Sequence, residues 1–276
     1  MRLVTYTAGG RSGVGVRRDG AIFDAGYADM QALIADGPAG LERAEAAAEA
    51  SELVAGATLC APIRPGKILC SGINYASHAD ENPDAKMPEE PFFFSKLPSA
   101  VIGPGEPIRI PRETTLTDYE VELAMVIGTR GYRIPEERAL EHVLGWTILH
   151  DVSARDVQFK DMQITLGKNP DTFSPIGPEI VTADELGDWS ALRVSTTLNG
   201  QVMQDSATAE MLFPPARLLA FLTDLVTVEP GDVVTTGSPA GVGFFRDPPV
   251  YLKPGDVVTV SVDGIGDLTN PVEAGW

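Results

Sequence analysis

The sequence is poor in cysteine, histidine and lysine. Among 276 residues there are 2 Cys and 3 His, and only 6 of the 21 basic residues are Lys. Cys60 and Cys70 give no paired framework, which argues against a small secreted domain held by disulfides, and they form no zinc-ligand spacing with His. Each Lys or His that stands in a glycine-rich context is therefore a candidate for function.

Long apolar runs and a basic surplus are also missing. The most apolar late window, residues 218–228, contains Asp224 and is too short to span a bilayer, and the first residues lack the apolar stretch of a signal peptide. The formal charge is -18, which argues against nucleic acid or an anionic membrane as a partner. We expect a cytoplasmic protein whose partner is a small molecule or another protein.

The composition changes near residue 60. Short strand-like segments (2–7, 13–17 and 21–24) and an Ala/Glu-rich helical stretch (40–55) predict a small α/β N-terminal domain over residues 1–60. Residues 61–66 contain two prolines and a glycine, which is typical of a linker. We therefore predict a second domain over residues 66–276.

The second domain is predicted to be mainly β with some α. Its β-branched and aromatic runs, most of them closed by Gly or Pro, favour a sandwich or a rolled barrel. The predicted strands are residues 67–71, 92–95, 120–127, 146–150, 193–198, 232–236 and 256–262. Helices are predicted at 135–144 and 215–225, and Pro-Gly-Asp at 230 and again at 254 predicts a turn that leads into a strand.

Three carboxylates form the first candidate site. Strand alternation places Glu120 and Glu122 on one face, and Asp151 ends the apolar strand 146–150. If these two strands are neighbours, three carboxylates meet in a set that suits Mg²⁺, Mn²⁺ or Ca²⁺. The alternatives are a solvated strand face for the two glutamates and a helix N-cap for Asp151.

Two further candidates carry proton-transfer or cationic groups. His78 and Glu81 are three residues apart in a polar turn, where a helical turn would bring their side chains together and the carboxylate could orient the imidazole to activate water. Lys168 lies in a turn-rich stretch and could bind a substrate carboxylate. The alternatives are a surface ion pair and an exposed loop lysine. His142 and His150 are interpreted as structural.

Taken together, the motifs from residue 67 onward resemble the fumarylacetoacetate hydrolase family. Residues 150–156, 171–173 and 241–250 are most similar to the branch called fumarylacetoacetate hydrolase domain-containing protein 2. The motifs are Gly72-x-Asn74-Tyr75-x-x-His78-x-x-Glu81, Glu120-x-Glu122, Asp151-x-x-x-Arg155-Asp156-x-Gln158, Gly167-Lys168 and Thr236-Gly237-Ser238-Pro239-x-Gly241-Val242-Gly243.

The resemblance implies a mixed β-sandwich roll, a homodimer and a lid that brings His78 and Glu81 to the substrate. It also implies Mg²⁺ or Mn²⁺ bound by the three carboxylates, and substrate contacts from Arg155, Gln158, Lys168 and Ser238. Two positions depart from the family pattern: Ser238 stands where Thr is more usual, and Ile73 stands where some members have Arg.

The activity that follows is chemistry on a 2-oxo acid. The leading hypothesis is a metal-dependent hydrolase that cleaves a C–C bond of an acylpyruvate-like acid, with His78 and Glu81 activating water. The alternatives are an isomerase, oxaloacetate tautomerase or decarboxylase that uses the same residues, and a protein that binds metal and ligand without turnover. Three ligand carboxylates and one divalent ion would leave a net negative charge, so Arg155 and Lys168 are expected to supply positive charge.

Overall fold

The computed structural model describes residues 1–81, 87–160 and 163–275. The strands are β1 (Arg2–Ala8), β2 (Arg11–Arg18), β3 (Ala21–Asp24), β4 (Thr58–Cys60), β5 (Ile68–Ser71), β6 (Phe93–Lys96), β7 (Val101–Ile102), β8 (Ile108–Ile110), β9 (Thr117–Asp118), β10 (Val121–Ile127), β11 (Val143–His150), β12 (Ser153–Ala154), β13 (Ser174–Thr182), β14 (Arg193–Leu198), β15 (Gln201–Ala207), β16 (Val233–Thr235), β17 (Val257–Val262) and β18 (Gly266–Ala274). The α-helices are α1 (Met30–Ala35), α2 (Gly37–Ala50), α3 (Ala76–Asp80), α4 (Arg155–Gln158), α5 (Thr165–Lys168), α6 (Ala183–Leu186) and α7 (Pro215–Thr223).

The larger sheet has β10 near its centre. Its strand order is β3-β2-β1-β13-β11-β10-β16-β5-β6, with β4 and β7 attached to β1 and β13. Every residue of β10 is buried, and β11 is buried except for Leu144. This burial explains the nearly continuous apolar sequence of β11, because a strand that is covered on both faces has no side for polar residues.

A second sheet packs face to face on the first. Its order is β15-β14-β17-β18-β8. Val194 and Val260 of this sheet share one buried cluster with Leu123 and Met125 of β10. The molecule is therefore mainly β with two layered sheets, as the sequence predicts, and the shared cluster fixes the ends of β10 and β11 between the layers.

The N-terminal segment is part of the larger sheet. Arg2 and Leu3 of β1 pair with Val181 and Ile180 of β13, so backbone hydrogen bonds cross from the first 60 residues to the rest. The strands of the first 60 residues thus continue the larger sheet through the pairing of β1 with β13. The division into domains at 1–60 and 66–276 stays a prediction.

The structure corrects the predicted helix at 135–144. Residues Glu136–His142 form a 3-10 helix, and the amide of Arg138 bonds to the carbonyl of Pro135, three residues back. Ala139 is the one fully buried side chain of this helix, so no apolar stripe stabilises a longer α-helix. The prediction at 215–225 is confirmed as α7.

Both Pro-Gly-Asp turns lead into strands, β16 and β17, as predicted. Among the described residues, no helix is both long enough and apolar enough to cross a membrane.

Leu3→Ala tests whether the N-terminal strand shares the main core. Leu3 is fully buried, in a cluster with Val16, Ile180 and Ala124. We expect the free energy of unfolding to fall by about 2–5 kcal/mol in urea titrations, because the cavity lies where both parts of the chain pack. The control is Leu53→Ala, 57% exposed in the same segment, with an expected loss below about 0.5 kcal/mol. Equal losses in the two variants would contradict a shared core.

Candidate active site

The three carboxylates meet where β10 begins and β11 ends. The two strands are antiparallel with Val121 opposite His150, so Glu120 and Asp151 lie side by side, and the Asp151 amide donates to the Glu120 carbonyl at 2.9 Å. Oxygens of Glu120, Glu122 and Asp151 lie within 4.8 Å of one another. The condition set by the sequence, that these strands be neighbours, is met.

Burial decides between the alternatives for these acids. Glu120 is 5% exposed, Glu122 is 2% exposed and Asp151 is fully buried, so neither glutamate lies on a solvated strand face. Helix α4 has Ala154 at its N-cap, so Asp151 is not a helix cap. Buried carboxylates need cations or hydrogen-bond donors close by.

Lys168 and Arg155 supply two of these cations. Lys168 Nζ lies 2.8 Å from Glu120 Oε2 and 2.6 Å from Asp151 Oδ2, and Arg155 Nη2 lies 2.5 Å from Glu120 Oε1. Lys168 is 3% exposed, which excludes the exposed loop lysine. Burial alone would raise the pKa of Glu120, but Arg155 and Lys168 outweigh it and hold that pKa well below its usual range.

Lys96 is a third cation, which the sequence analysis did not select. Its Nζ lies 2.5 Å from Asp151 Oδ1 and also donates to the carbonyls of Val152 and Lys168 at 3.1 and 2.6 Å. The available signal was a lysine at the end of an apolar strand, where a buried cation needs a buried anion. Lys96 and Lys168 together fix both oxygens of Asp151.

Glu122 has an oxygen without a partner. Its Oε2 is buried and has no hydrogen bond among the described residues. Burial, together with the charges of Asp151 and Glu120, raises the pKa of Glu122 well above its usual range. An unsatisfied oxygen beside two further carboxylates fits a hard divalent cation, so Glu120, Glu122 and Asp151 could hold a metal ion.

His78 and Glu81 form a hydrogen-bonded pair. His78 Nδ1 lies 2.7 Å from Glu81 Oε2, and the two side chains are 12% and 16% exposed, so this is not a surface ion pair. Glu81 Oε1 accepts from the Gly241 amide at 2.7 Å, and Phe245 meets the imidazole edge to face at 6.1 Å. The Gly243 amide, two residues after Gly241, donates to Asp118, which accepts from Arg155, so hydrogen bonds link the pair to the carboxylate cluster.

Arg155 is held from its other side by Asp118 and Gln158. Asp118 Oδ2 accepts from Arg155 Nε at 2.9 Å, and Gln158 Oε1 accepts from Nη1 at 3.0 Å. Asp118 was not selected from the sequence, although it shares the alternation of Glu120 and Glu122. The predicted contact residues Arg155 and Gln158 are therefore brought together.

The hydroxyl of Ser238 has a defined orientation. Gln204 Oε1 accepts from the Val121 amide at 3.1 Å, and Gln204 Nε2 donates to the Pro239 carbonyl at 2.8 Å. These backbone partners fix which end of the amide is which, so Nε2 donates to Ser238 Oγ at 2.8 Å. The Ser238 hydroxyl keeps its proton free to donate to another group. No local pattern in the sequence pointed to Gln204.

The other two histidines lie outside this network, as the sequence analysis expected. His150 is fully buried and neither ring nitrogen has a partner among the described residues; burial lowers its pKa to about 3. His142 Nδ1 lies 3.1 Å from the Thr129 carbonyl.

Residues 67–273 match the family model described as fumarylacetoacetate (FAA) hydrolase C-terminal. The chain is 42% identical over 288 residues to "Oxaloacetate tautomerase fahd2, mitochondrial" of Xenopus laevis, covering 99% of this chain and 90% of that protein. A solved fumarylacetoacetate hydrolase from Exiguobacterium antarcticum is 37% identical with a TM-score of 0.88, covering 99% of both chains. A 5-carboxymethyl-2-hydroxymuconate delta-isomerase from Mycobacterium smegmatis is 36% identical with a TM-score of 0.82, covering 100% of both.

Lys96→Met is expected to lower the free energy of unfolding by about 3 kcal/mol, because it takes one cation from a buried carboxylate. The matched control is Lys67→Met. Lys67 pairs with the buried Asp232 at 2.6 Å but is 39% exposed, and Asp232 keeps two backbone amide donors. We expect the control to lose less than about 1 kcal/mol in urea titrations. Equal losses would mean that Lys96 is not needed to balance the cluster.

Glu122→Gln should change the pH dependence of stability in metal-free protein. A carboxyl whose folded pKa is raised destabilises the fold progressively as the pH rises from its unfolded pKa, about 4.3, through the folded pKa. Glutamine does not ionise, so the variant should melt at least about 3 °C above the parent at pH 8, with the difference closing toward pH 4.

Calorimetric scans with and without Mn²⁺ complete that test. The ion should raise the melting temperature of the parent and of the exposed control Glu229→Gln, and much less that of Glu122→Gln, because binding stabilises only a fold that retains its ligands. A constant difference between pH 4 and pH 8, or equal stabilisation of all three proteins by Mn²⁺, would argue against this role of Glu122.

Proposed function

The chain belongs to the fumarylacetoacetate hydrolase family, and we propose that it is a divalent-metal-dependent tautomerase of a 2-oxo dicarboxylic acid, with oxaloacetate as the candidate substrate. The observation that carries the proposal is the His78–Glu81 pair, which hydrogen bonds through the 241–245 turn, Asp118 and Arg155 link to the buried carboxylate cluster. Similarity over 99% of the chain to a protein named oxaloacetate tautomerase supports the isomerase alternative above the hydrolase that the sequence analysis put first.

The charge balance of the site supports an anionic substrate. Glu120, Glu122, Asp151 and Asp118 lie with Lys96, Lys168 and Arg155, so four buried carboxyl groups meet three cations and have a formal charge of −1 when all four are ionised. A divalent ion would make the site positive. Arg155 and Lys168 would have the balancing role expected from the sequence, and Lys96 would add to it.

Glu120, Glu122 and Asp151 would hold the ion, for which Mg²⁺ and Mn²⁺ are the proposed identities. Such an ion, when bound, would polarise the 2-oxo group and favour loss of a proton from the adjacent carbon.

His78 would move the proton at that carbon. In the keto-to-enol direction the imidazole takes a proton from C3, the C2–C3 double bond forms, and the oxygen on C2 gains a proton from a water molecule. The hydroxide left behind then takes the proton from the imidazolium, which restores water and the neutral imidazole. Glu81 bonds to Nδ1, which leaves Nε2 to exchange the proton and stabilises the imidazolium. The reverse direction uses the same groups, and no co-reactant is consumed.

The cations and the serine hydroxyl would orient the substrate. Burial disfavours the ammonium of Lys168, but Asp151 and Glu120 outweigh it and raise the pKa, so Lys168 stays charged and acts on negative oxygens electrostatically. Ser238 would donate to a substrate oxygen with the proton that Gln204 leaves free. Gln158, next to Arg155, is the proposed fourth contact.

C–C bond hydrolysis is the second candidate. The His78–Glu81 distance of 2.7 Å also suits removal of a proton from water, and the solved fumarylacetoacetate hydrolase is similar over 99% of the chain.

A homodimer and a cytoplasmic location remain proposals for this chain, while the Xenopus laevis relative is named as mitochondrial.

Mn²⁺-loaded protein should accelerate the enol-to-keto conversion of oxaloacetate, which is measured as the loss of enol absorbance. His78→Asn should lower kcat by about 10²–10⁴-fold because the proton-transfer group is lost, while calorimetric Mn²⁺ affinity stays the same. The control His142→Asn, at a histidine bonded only to a backbone carbonyl, should keep the parental rate. Glu122→Ala should lose both metal and turnover.

Product analysis separates the candidate activities. With an acylpyruvate, two carboxylic products in the proton NMR spectrum would establish hydrolysis, and evolved CO₂ from oxaloacetate would establish decarboxylation. A parental rate no faster than the spontaneous rate with either ion, or full activity in His78→Asn, would refute the proposed tautomerase.

A further inference from the structure

We propose that Asp118 is a positioning residue that ties the carboxylate cluster to the His78–Glu81 pair through the turn at residues 241–245. The role of this link in catalysis rests on the function proposed above, whereas the link itself consists of hydrogen bonds in the structure. Asp118 is fully buried and lies between the two groups.

One side of Asp118 contacts the cluster. Its Oδ2 accepts from Arg155 Nε at 2.9 Å, and Arg155 Nη2 reaches Glu120 Oε1 at 2.5 Å. A single guanidinium therefore joins Asp118 to a proposed metal ligand. Because Arg155 is 5% exposed, water has little access to replace either partner.

The other side of Asp118 holds the 241–245 turn. Oδ1 accepts from the Gly243 amide at 2.6 Å and Oδ2 accepts from the Phe244 amide at 3.0 Å. Two residues before Gly243, the Gly241 amide donates to Glu81 Oε1 at 2.7 Å. The same short turn thus bonds to Asp118 at one end. At its other end it orients Glu81, the carboxylate that bonds to the proposed base His78.

Tight packing restricts movement of this turn. A Cβ at Gly243 would lie 1.8 Å from the Val250 carbonyl oxygen, and a Cβ at Gly241 would lie 2.2 Å from that of Met203. Gly241 also has φ of +103°, which disfavours any side chain. Because the turn has so little room, a displacement of Gly243 should also displace Gly241 and, through the amide hydrogen bond of Gly241, Glu81.

Only a carboxylate serves both sides of this arrangement. An aspartate offers two acceptor oxygens, one toward the Gly243 amide and one shared by Arg155 and the Phe244 amide. An asparagine has one acceptor and one donor, so its amide group would face another donor on one side or the other. Asp118→Asn should therefore loosen the turn while keeping the size of the side chain.

The test is residue-resolved amide hydrogen exchange by NMR on the full chain, with Asp232→Asn as matched control. Asp232 is also buried, accepts two backbone amides and pairs with a lysine, but lies outside the site. In Asp118→Asn, exchange at Gly241 should rise at least about fivefold although Gly241 does not contact Asp118, and the control should stay within about twofold there.

The reciprocal variant protects the test against misfolding. Glu81→Gln changes a partly exposed side chain and should raise exchange at Gly243 and Phe244, because coupling acts equally in both directions. If Asp118→Asn fails to fold, this variant decides. Parental exchange at Gly241 in Asp118→Asn, or at Gly243 and Phe244 in Glu81→Gln, would overturn the link.

Kinetics supply the second readout. If Asp118 acts through Glu81, kcat of the double variant Asp118→Asn/Glu81→Gln should lie within about threefold of the slower single variant. If the two residues act independently, the fold-losses in kcat of the two single variants should multiply. Multiplying effects would overturn the positioning role. If the parent does not act on oxaloacetate at all, the proposed function fails, and the exchange experiment still decides whether the link exists.

Discussion

The site depends on the compensation of buried charge where β10 begins and β11 ends. Asp151 is fully buried and both its oxygens bond to lysines, and Glu120 bonds to Lys168 and Arg155. Removing such charges from water costs several kcal/mol each, and only close partners return that energy. The lysines come from different parts of the chain, so the fold and the charge balance of the site require each other.

Glu122 is the member of the cluster that the protein's own cations do not satisfy. Its neighbours are mainly other carboxylates, so without an added cation the proton is the simplest way to remove the repulsion. An ionised Glu122 lowers the stability of the metal-free protein, and the same carboxylate would be a ligand if the site binds a divalent ion as proposed. A cluster in which the protein's own cations balanced every carboxylate would be more stable, but it would attract a divalent ion less strongly.

The sequence predicted those parts of the site that share a short segment. Alternation placed Glu120 and Glu122 together, helical spacing paired His78 with Glu81, and these predictions required only local geometry. Resemblance to a known family then supplied Arg155, Gln158 and Ser238, which no local pattern singled out.

Lys96 and Gln204 could not be found in the same way. Lys96 lies 55 residues from its partner Asp151, and Gln204 lies 34 residues from Ser238, on a strand of the other sheet. Their roles exist only once the sheets are assembled. The 3-10 helix at Glu136–His142 was missed for a related reason: capping residues predict where a helix begins and ends, while buried contacts decide which kind of helix forms.

The two halves of the site differ in how they are held, and this difference is suited to proton transfer. The carboxylates lie on or next to strands packed between sheets, whereas His78 lies on the five-residue helix α3, whose N-cap residue makes no side-chain cap hydrogen bond. For His78 to act as the proposed base, contacts from outside this short helix must fix its position. The turn at 241–245 supplies such a contact, because the Gly241 amide donates to Glu81. The same turn bonds to Asp118, which lies two residues before Glu120, so this contact is tied to the segment that carries Glu120 and Glu122. Proton transfer depends on distances of a few tenths of an ångström, so one buried carboxylate bonded to both halves would fix their separation better than two independently packed elements.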